Sequence, residues 1–274
     1  MLPSWHNQLR VVLCPDKVIL LGRGRGLRRK VIIQTVLPCV PFSDAPNWQP
    51  ALDTFESWLA ANEIGRTKVT VILSDHFVRY ALMPYSAEVA SRAEEQILAK
   101  ILLEDIYGEL AKLWQLSVGE GGYGEARLIA AVDASLLDRI STVLASGVLS
   151  LNTITPYFVS AFNGFHRKIS DSDGLFAVIE PGLMMVIAFK NAQIYSVRRV
   201  PLNGELEGLL PNLLHREMLI SGFDMDAVPV YLYVVGRPDF KLSDAGGLII
   251  HVLAHVDSFV EDAQLDMAIA GGCP

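Results

Sequence analysis

Short runs of Val, Ile and Leu alternate with turn residues in the first third of the chain. The segments RVVLCP, KVILLGRG and RKVIIQTVLP are separated by Pro15-Asp16 and by the glycines between positions 22 and 26. Runs of this kind predict the strands of an antiparallel meander. A helix from about Trp48 to Asn62, with apolar residues at helical spacing, and a buried strand from Val69 are predicted next. The predicted order is β-β-β-α-β.

The last third of the chain repeats this order. LFAVIE, LMMVIAFK and AQIYSVRRVPL predict three strands with tight turns at Pro181-Gly182 and at Asn191. A helix from about Gly204 to Ser221 follows, then two strands, PVYLYVVG and LIIHVLAHV, and a closing helix from Ser258 to about Ala270. Two copies of one order at opposite ends of a chain indicate structural duplication.

A different pattern lies between the two copies. FVRYALMP, LWQLSV, ARLIAAVD and LNTITPY predict strands, and helices are predicted over 87–107, 134–146 and 158–168. The long helix is expected to turn its apolar side, Ala90, Ile97, Ile101, Leu102 and Ile106, towards the protein. A solvated face is expected for its acidic residues, Glu88, Glu94, Glu95, Glu104, Asp105 and Glu109. The polar cluster from Asp171 to Gly174 is the predicted boundary between the halves.

Composition narrows the function class. The 274 residues are 51% hydrophobic, yet no uninterrupted apolar run approaches the roughly twenty residues of a membrane-spanning helix. The N-terminus lacks the pattern of a secretory signal, and the three cysteines, Cys14, Cys39 and Cys273, are too few for a disulfide framework. We therefore expect a cytoplasmic protein with free thiols. A net charge of −7 disfavours nucleic acid as a partner.

The order of elements resembles the actin-like ATPase superfamily, in the form seen in the type IV pilus assembly protein PilM and the cytoplasmic domain of the type II secretion protein GspL. The resemblance is strongest through VILSDHFVRYALMPYSAEVASRAEEQILAKILLEDIYGE and ARLIAAVDASLLDRISTVLASGVLSLNTITPYFVSAF. It implies an α/β fold with mixed sheets and two ribonuclease-H-like halves. The implied domains are residues 1–83 with 149–170 for the first half, 84–148 for a small α/β insertion subdomain, and 171–274 for the second half.

In active members of this superfamily, a hairpin in each half holds the ATP phosphates through an Asp-x-Gly pattern. Here Cys14 and Asp16 stand at the two positions of the first hairpin, and Glu180 and Gly182 at those of the second. Pro181 lacks a backbone donor, and the adenosine-side glycine pair is reduced to Gly236. We regard Asp16, Glu180, Gly182 and Gly236 as vestigial cofactor positions, predict weak or absent ATP binding, and identify no catalytic residue.

A fold of this kind without its chemistry suggests a scaffold. The resemblance implies a cytoplasmic adaptor, peripheral at the inner membrane, that binds the cytoplasmic tail of a bitopic assembly protein and contacts an assembly ATPase. The matching region carries the predicted partner-binding residues Phe77, Arg79, Tyr80, Tyr85 and Tyr157. The alternative is a divergent ATPase or sugar-kinase-like enzyme that still binds ATP and Mg²⁺, with Glu180 organising the metal and Asp16 assisting.

Two further motifs have simpler interpretations. GRGRGLRRK, residues 22–30, lies between strands, whereas phosphate-binding glycine loops lead into a helix. It is therefore predicted to be a solvated hairpin turn, with a basic docking patch for an acidic partner or the anionic inner leaflet as the alternative. His251 and His255 have the spacing of paired metal ligands, but no third ligand is apparent, so no metal site is predicted.

Overall fold

The computed structural model describes residues 7–24, 31–40, 46–89, 91–122, 124–145, 148–169, 173–242, 246–254 and 267–268. The first part contains strands and one helix in the order β1 (Asn7–Leu13), β2 (Lys17–Arg23), β3 (Val31–Pro38), α1 (Gln49–Ala61) and β4 (Thr67–Leu73). The middle part contains β5 (Val78–Met83), α2 (Arg92–Tyr107), β6 (Trp114–Val118), β7 (Arg127–Asp133), α3 (Ala134–Leu144), β8 (Leu149–Pro156) and α4 (Tyr157–Phe165). The last part contains β9 (Gly174–Glu180), β10 (Leu183–Lys190), β11 (Gln193–Pro201), α5 (Leu206–Ser221), β12 (Val230–Val234) and β13 (Ile250–Leu253).

Two of the three sheets have the same topology. Their strand orders are β3-β2-β1-β4-β8 and β11-β10-β9-β12-β13. In both sheets, the first three strands form an antiparallel meander, and each of the two remaining strands is parallel to the strand before it in the strand order when this is read from left to right. The predicted β-β-β-α-β order is confirmed at both ends of the chain, and the matching orders establish the structural duplication.

The interior strands read as continuous apolar runs because both of their faces are covered. All seven residues of β9 and the first seven of β10 are buried. On one face, Met184 and Leu232 pack with Leu210, Leu214 and Met218 of α5. Strands buried on both faces lose the alternation of apolar and polar residues that marks a half-exposed strand.

The middle part of the chain forms the third sheet, β5-β7-β6, with α2 packed on it. The predicted start of this helix at Ala87 is wrong, because α2 begins at Arg92 after a capping box formed by Ser91 and Glu94. The predicted inner face of α2 is wrong in part, since Leu102 packs against this core as expected and Ala90 lies outside the described residues. Ala99 and Leu103 are buried against the sheet, whereas the expected inner residues Ile97, Ile101 and Ile106 are 60%, 52% and 58% exposed.

Residue contacts divide the chain into two compact units. One comprises Met1–Val78, Val132–Gly164 and His255–Pro274, and the other comprises Arg79–Ala131 and Phe165–Ala254. The domain boundaries inferred from the sequence stay a prediction. Within the described residues, none of the helices is long and apolar enough to cross a membrane. Most of the predicted closing helix, Ser258 to Ala270, lies outside the described residues, and the predicted strand before it is confirmed over Ile250–Leu253.

Candidate functional site

The turn between β1 and β2 is the first predicted nucleotide-site position. The Cys14 amide donates to the Lys17 carbonyl at 2.9 Å, so Pro15 and Asp16 form the centre of a tight turn. The Cys39 amide donates to the Asp16 carbonyl at 2.7 Å. Asp16 has a negative φ and therefore does not need the conformational freedom of glycine. Among the described residues, the non-glycine residues with positive φ are Asn191 and Ala192.

In this first turn the side chain of Cys14 is buried and that of Asp16 is exposed. Cys14 is 3% exposed, and its thiol donates to the Met267 sulfur at 3.5 Å. The Asp16 carboxylate is 60% exposed and lies 4.0 Å from the Lys17 ammonium. Position 14 of this turn is therefore filled by a buried thiol in contact with a methionine sulfur, and the negative charge lies two residues later.

The turn between β9 and β10 is the second predicted position. Glu180 pairs with Leu183, leaving Pro181 and Gly182 at the centre, and Gly182 has φ of 78°. Proline followed by a residue with positive φ is the pattern of a type II turn. The Leu202 amide donates to the Gly182 carbonyl at 3.0 Å, as Cys39 does to Asp16 in the first half.

Backbone hydrogen bonds establish that the two turns are equivalent. The Ser74 amide, after β4, donates to the Leu13 carbonyl, and the Val235 amide, after β12, donates to the Ile179 carbonyl, both at 2.9 Å. Cys14 therefore corresponds to Glu180. Gly236 follows Val235 with φ of 70° and forms the turn that ends β12.

The second turn offers little phosphate-binding chemistry. Pro181 has no N–H to give to a phosphate oxygen. The three residues after Gly182, Leu183, Met184 and Met185, are each at most 1% exposed and belong to the core. Glu180 is also buried, with 3% exposure. Phosphoryl transfer depends on positioned donors and cations, and this segment contributes a turn and one buried carboxyl group.

The predicted partner-binding residues differ widely in exposure. Phe77 and Tyr80 are each 6% exposed and Tyr157 is fully buried, whereas Tyr85 is 40% exposed. Arg79 is half-buried, and burial, followed by the positive charge of Arg199, lowers its pKa from the ordinary value. Tyr85 therefore has the most exposed side chain among the four aromatic residues of this set.

A surface groove of about 500 Å³ is lined by Tyr85 and by residues of α2, β6 and β7. Polar side chains line much of it, including Arg92, Glu95 and Arg127. Glu95 and Arg127 form an ion pair across the groove wall. Arg127 could not be predicted as a groove residue, because nothing near it in the chain indicates that Glu95, 32 positions earlier on α2, is its partner.

The remaining sequence candidates are described only in part. In the basic segment Arg23 is described as the end of β2, and residues 25–30 lie outside the described part. His251 stacks on Tyr231 with ring centroids 5.4 Å apart, and His255 lies outside the described part, as does Cys273. Within the described ranges, no three His, Cys, Asp or Glu side chains are grouped as metal ligands would be.

The two sheets of matching topology and the similar solved structures show that the protein has the actin-like ATPase fold, which confirms the predicted fold class. A Bacteroides thetaiotaomicron protein of unknown function with this fold superposes with a TM-score of 0.60 at 9% identity, over 91% of each chain. No family model matches the sequence, and no curated protein sequence matches it.

Two further structures of similar shape have a described cellular context. The cytoplasmic domain of EpsL, an inner-membrane component of the type II secretion system of Vibrio cholerae, superposes with a TM-score of 0.59 at 17% identity, over 96% of this chain and 94% of that one. The PilM–PilN type IV pilus biogenesis complex contains a chain that superposes with a TM-score of 0.62 at 14% identity, over 98% and 95%. These likenesses agree with the resemblance noted in the sequence.

Proposed function

We propose that the protein is a non-catalytic cytoplasmic scaffold of a type IV pilus or type II secretion inner-membrane platform. The fold and its two neighbours of known context support this assignment. The observation that carries the non-catalytic part is the β9–β10 turn. There Pro181 removes a donor, Glu180 is 3% exposed, and Met184 and Met185 fill the core behind the turn.

The proposed partner is the cytoplasmic tail of a bitopic inner-membrane assembly protein, with an assembly ATPase as a second partner. Tyr85 supplies an exposed aromatic ring beside a groove that carries both charge signs, which suits an extended peptide with apolar and polar side chains. The protein would then be peripheral at the inner membrane. The proposed domains remain 1–83 with 149–170, 84–148, and 171–274.

Peptide binding tests this function directly. The cytoplasmic tails of the inner-membrane proteins encoded beside this gene would be made as fluorescent peptides and titrated with the purified chain. We expect one tail to bind, and Tyr85→Ala to weaken that binding. The matched control is Tyr195→Ala, because Tyr195 is a 53% exposed tyrosine on β11. Absence of binding by every tail would contradict the proposed function.

A further inference from the structure

Helix α2 carries two apolar stripes, one packed against the β5-β7-β6 sheet and the other exposed to solvent. Ala99 and Leu103 are buried against the β5-β7-β6 sheet, with Leu98 and Leu102 packed beside them. Ile97 and Ile101 lie on another side of the helix and are 60% and 52% exposed. They are four residues apart, so their side chains are neighbours on one helix face. We call this pair the outer stripe.

Carboxylates bracket the outer stripe along the same face. Glu94 lies three residues before Ile97, and Glu104 and Asp105 lie three and four residues after Ile101. Residues at these spacings share a face of an α-helix. Lys100, three residues after Ile97, adds one positive charge at the edge of this face, so the rim carries three negative charges and one positive charge. Glu94 also accepts a hydrogen bond from the Ser91 amide in the capping box, at 3.1 Å.

An acidic rim around an apolar pair favours a cationic amphipathic partner. A helix that faces solvent needs no aliphatic stripe on its outer side, and exposed apolar surface with a polar rim marks interaction sites. Lysines or arginines on the partner would pair with Glu94, Glu104 and Asp105 while apolar side chains cover Ile97 and Ile101. A second copy of this chain would bring the same carboxylates together, which is repulsive.

We propose that the outer stripe docks a Lys- or Arg-rich amphipathic segment of the inner-membrane partner. This inference rests on the proposed function, because cytoplasmic segments next to inner-membrane helices carry an excess of Lys and Arg. It adds a second contact surface on α2 to the contact expected at Tyr85, which lies in the segment between β5 and α2. The tail would contribute apolar residues at helical spacing with positive charges at both ends.

Binding of a designed peptide tests the outer stripe separately from the natural partner. The probe is a fluorescent synthetic helix with two leucines four residues apart, bracketed by lysines, and its twin has glutamates in place of the lysines. Titration of the full chain should give at least about tenfold tighter binding of the cationic peptide. Ile97→Ser with Ile101→Ser should weaken that binding by about tenfold or more. The control pair is Leu110→Ser with Leu113→Ser, which are 64% and 63% exposed and lie beyond α2.

Charge reversal gives a second, independent readout. Glu104→Lys with Asp105→Lys should reverse the preference, so that the acidic twin binds better than the cationic peptide. Equal binding of the two peptides, or isoleucine variants that bind like the parent, would overturn the proposal. So would a dimer in sedimentation that the isoleucine variants abolish, since the stripe would then be covered by a second copy. If the designed peptide behaves as expected and no natural tail binds, the proposed function fails while this surface stands.

Discussion

Gly174 leaves the space that the ring of Phe189 occupies at the start of the second half. The two residues pair across β9 and β10, and a Cβ atom at position 174 would lie 2.7 Å from both Cε2 and Cζ of that ring. The ring reaches across β9 and stacks with Tyr231 of β12, with centroids 6.4 Å apart and planes inclined by 23°. Tyr231 in turn stacks with His251.

Replacing Gly174 with Ala should therefore destabilise the second half. Carbon atoms pack best at about 3.5–4.0 Å, so the ring would have to move by roughly 1 Å. Phe189 is 4% exposed and has little room to do so. Overpacking of a close-packed core typically costs about 1–3 kcal/mol, which sets the expected loss in the free energy of unfolding.

Urea unfolding followed by circular dichroism measures this loss, with a rescue variant and a control. Gly174→Ala combined with Phe189→Leu should cost less than the sum of the single changes by about 1 kcal/mol, because the smaller side chain relieves the clash. The control is Gly208→Ala on the exposed side of α5, where no atom outside the adjacent residues and the local helix backbone lies within 4 Å of the added methyl. It should stabilise the protein by up to about 1 kcal/mol. A neutral Gly174→Ala, or strictly additive changes, would refute the packing described for Phe189.

Three other predictions concern single positions. Gly182→Ala should lower the free energy of unfolding, measured in urea, by about 1 kcal/mol, because φ is 78° at this position. A variant that changes ATP binding and leaves the stability unchanged would contradict our description of this turn. Ser91→Ala should remove the capping box of α2 and lower the free energy of unfolding by about 1 kcal/mol; an unchanged unfolding midpoint would argue against the cap. Burial raises the pKa of the Cys39 thiol, so the folded state keeps its proton where the unfolded state has lost it. The stabilisation contributed by the Cys39 thiol is therefore present below the ordinary thiol pKa and is lost as the pH rises through the raised pKa. Unfolding midpoints that show the same pH dependence in the parent protein and in Cys39→Ser would contradict this.

Local sequence signals were sufficient for the order of the elements. The meanders are encoded by short Val- and Ile-rich runs and by Pro15-Asp16, Pro181-Gly182 and Asn191, whose turn preferences act over a few residues. The inner face of α2 could not be predicted in this way. The helix has two apolar stripes, and the choice between Ile97 and Ala99 depends on the sheet against which the helix packs.

The two turns were predicted in position, whereas the exposure of the candidate residues was not predicted. The two turns were located by their prolines, and the hydrogen bonds from Cys39 and Leu202 establish their equivalence. Aromatic residues are common both in cores and at interfaces, so the sequence could not separate the exposed Tyr85 from the buried Tyr157. The groove beside Tyr85 depends on contacts between distant segments and had no local signal.

Titration calorimetry with ATP and Mg²⁺ tests the central claim most directly, since the scaffold and the divergent-enzyme readings differ in nucleotide binding. At a protein concentration of about 100 μM, the experiment detects affinities in the micromolar to millimolar range usual for substrates. We predict no binding heat and an unchanged melting temperature, because the Glu180-Pro181-Gly182 turn leads directly into buried Leu183, Met184 and Met185. A saturating binding isotherm that Glu180→Gln abolishes would contradict the scaffold and favour a divergent ATPase.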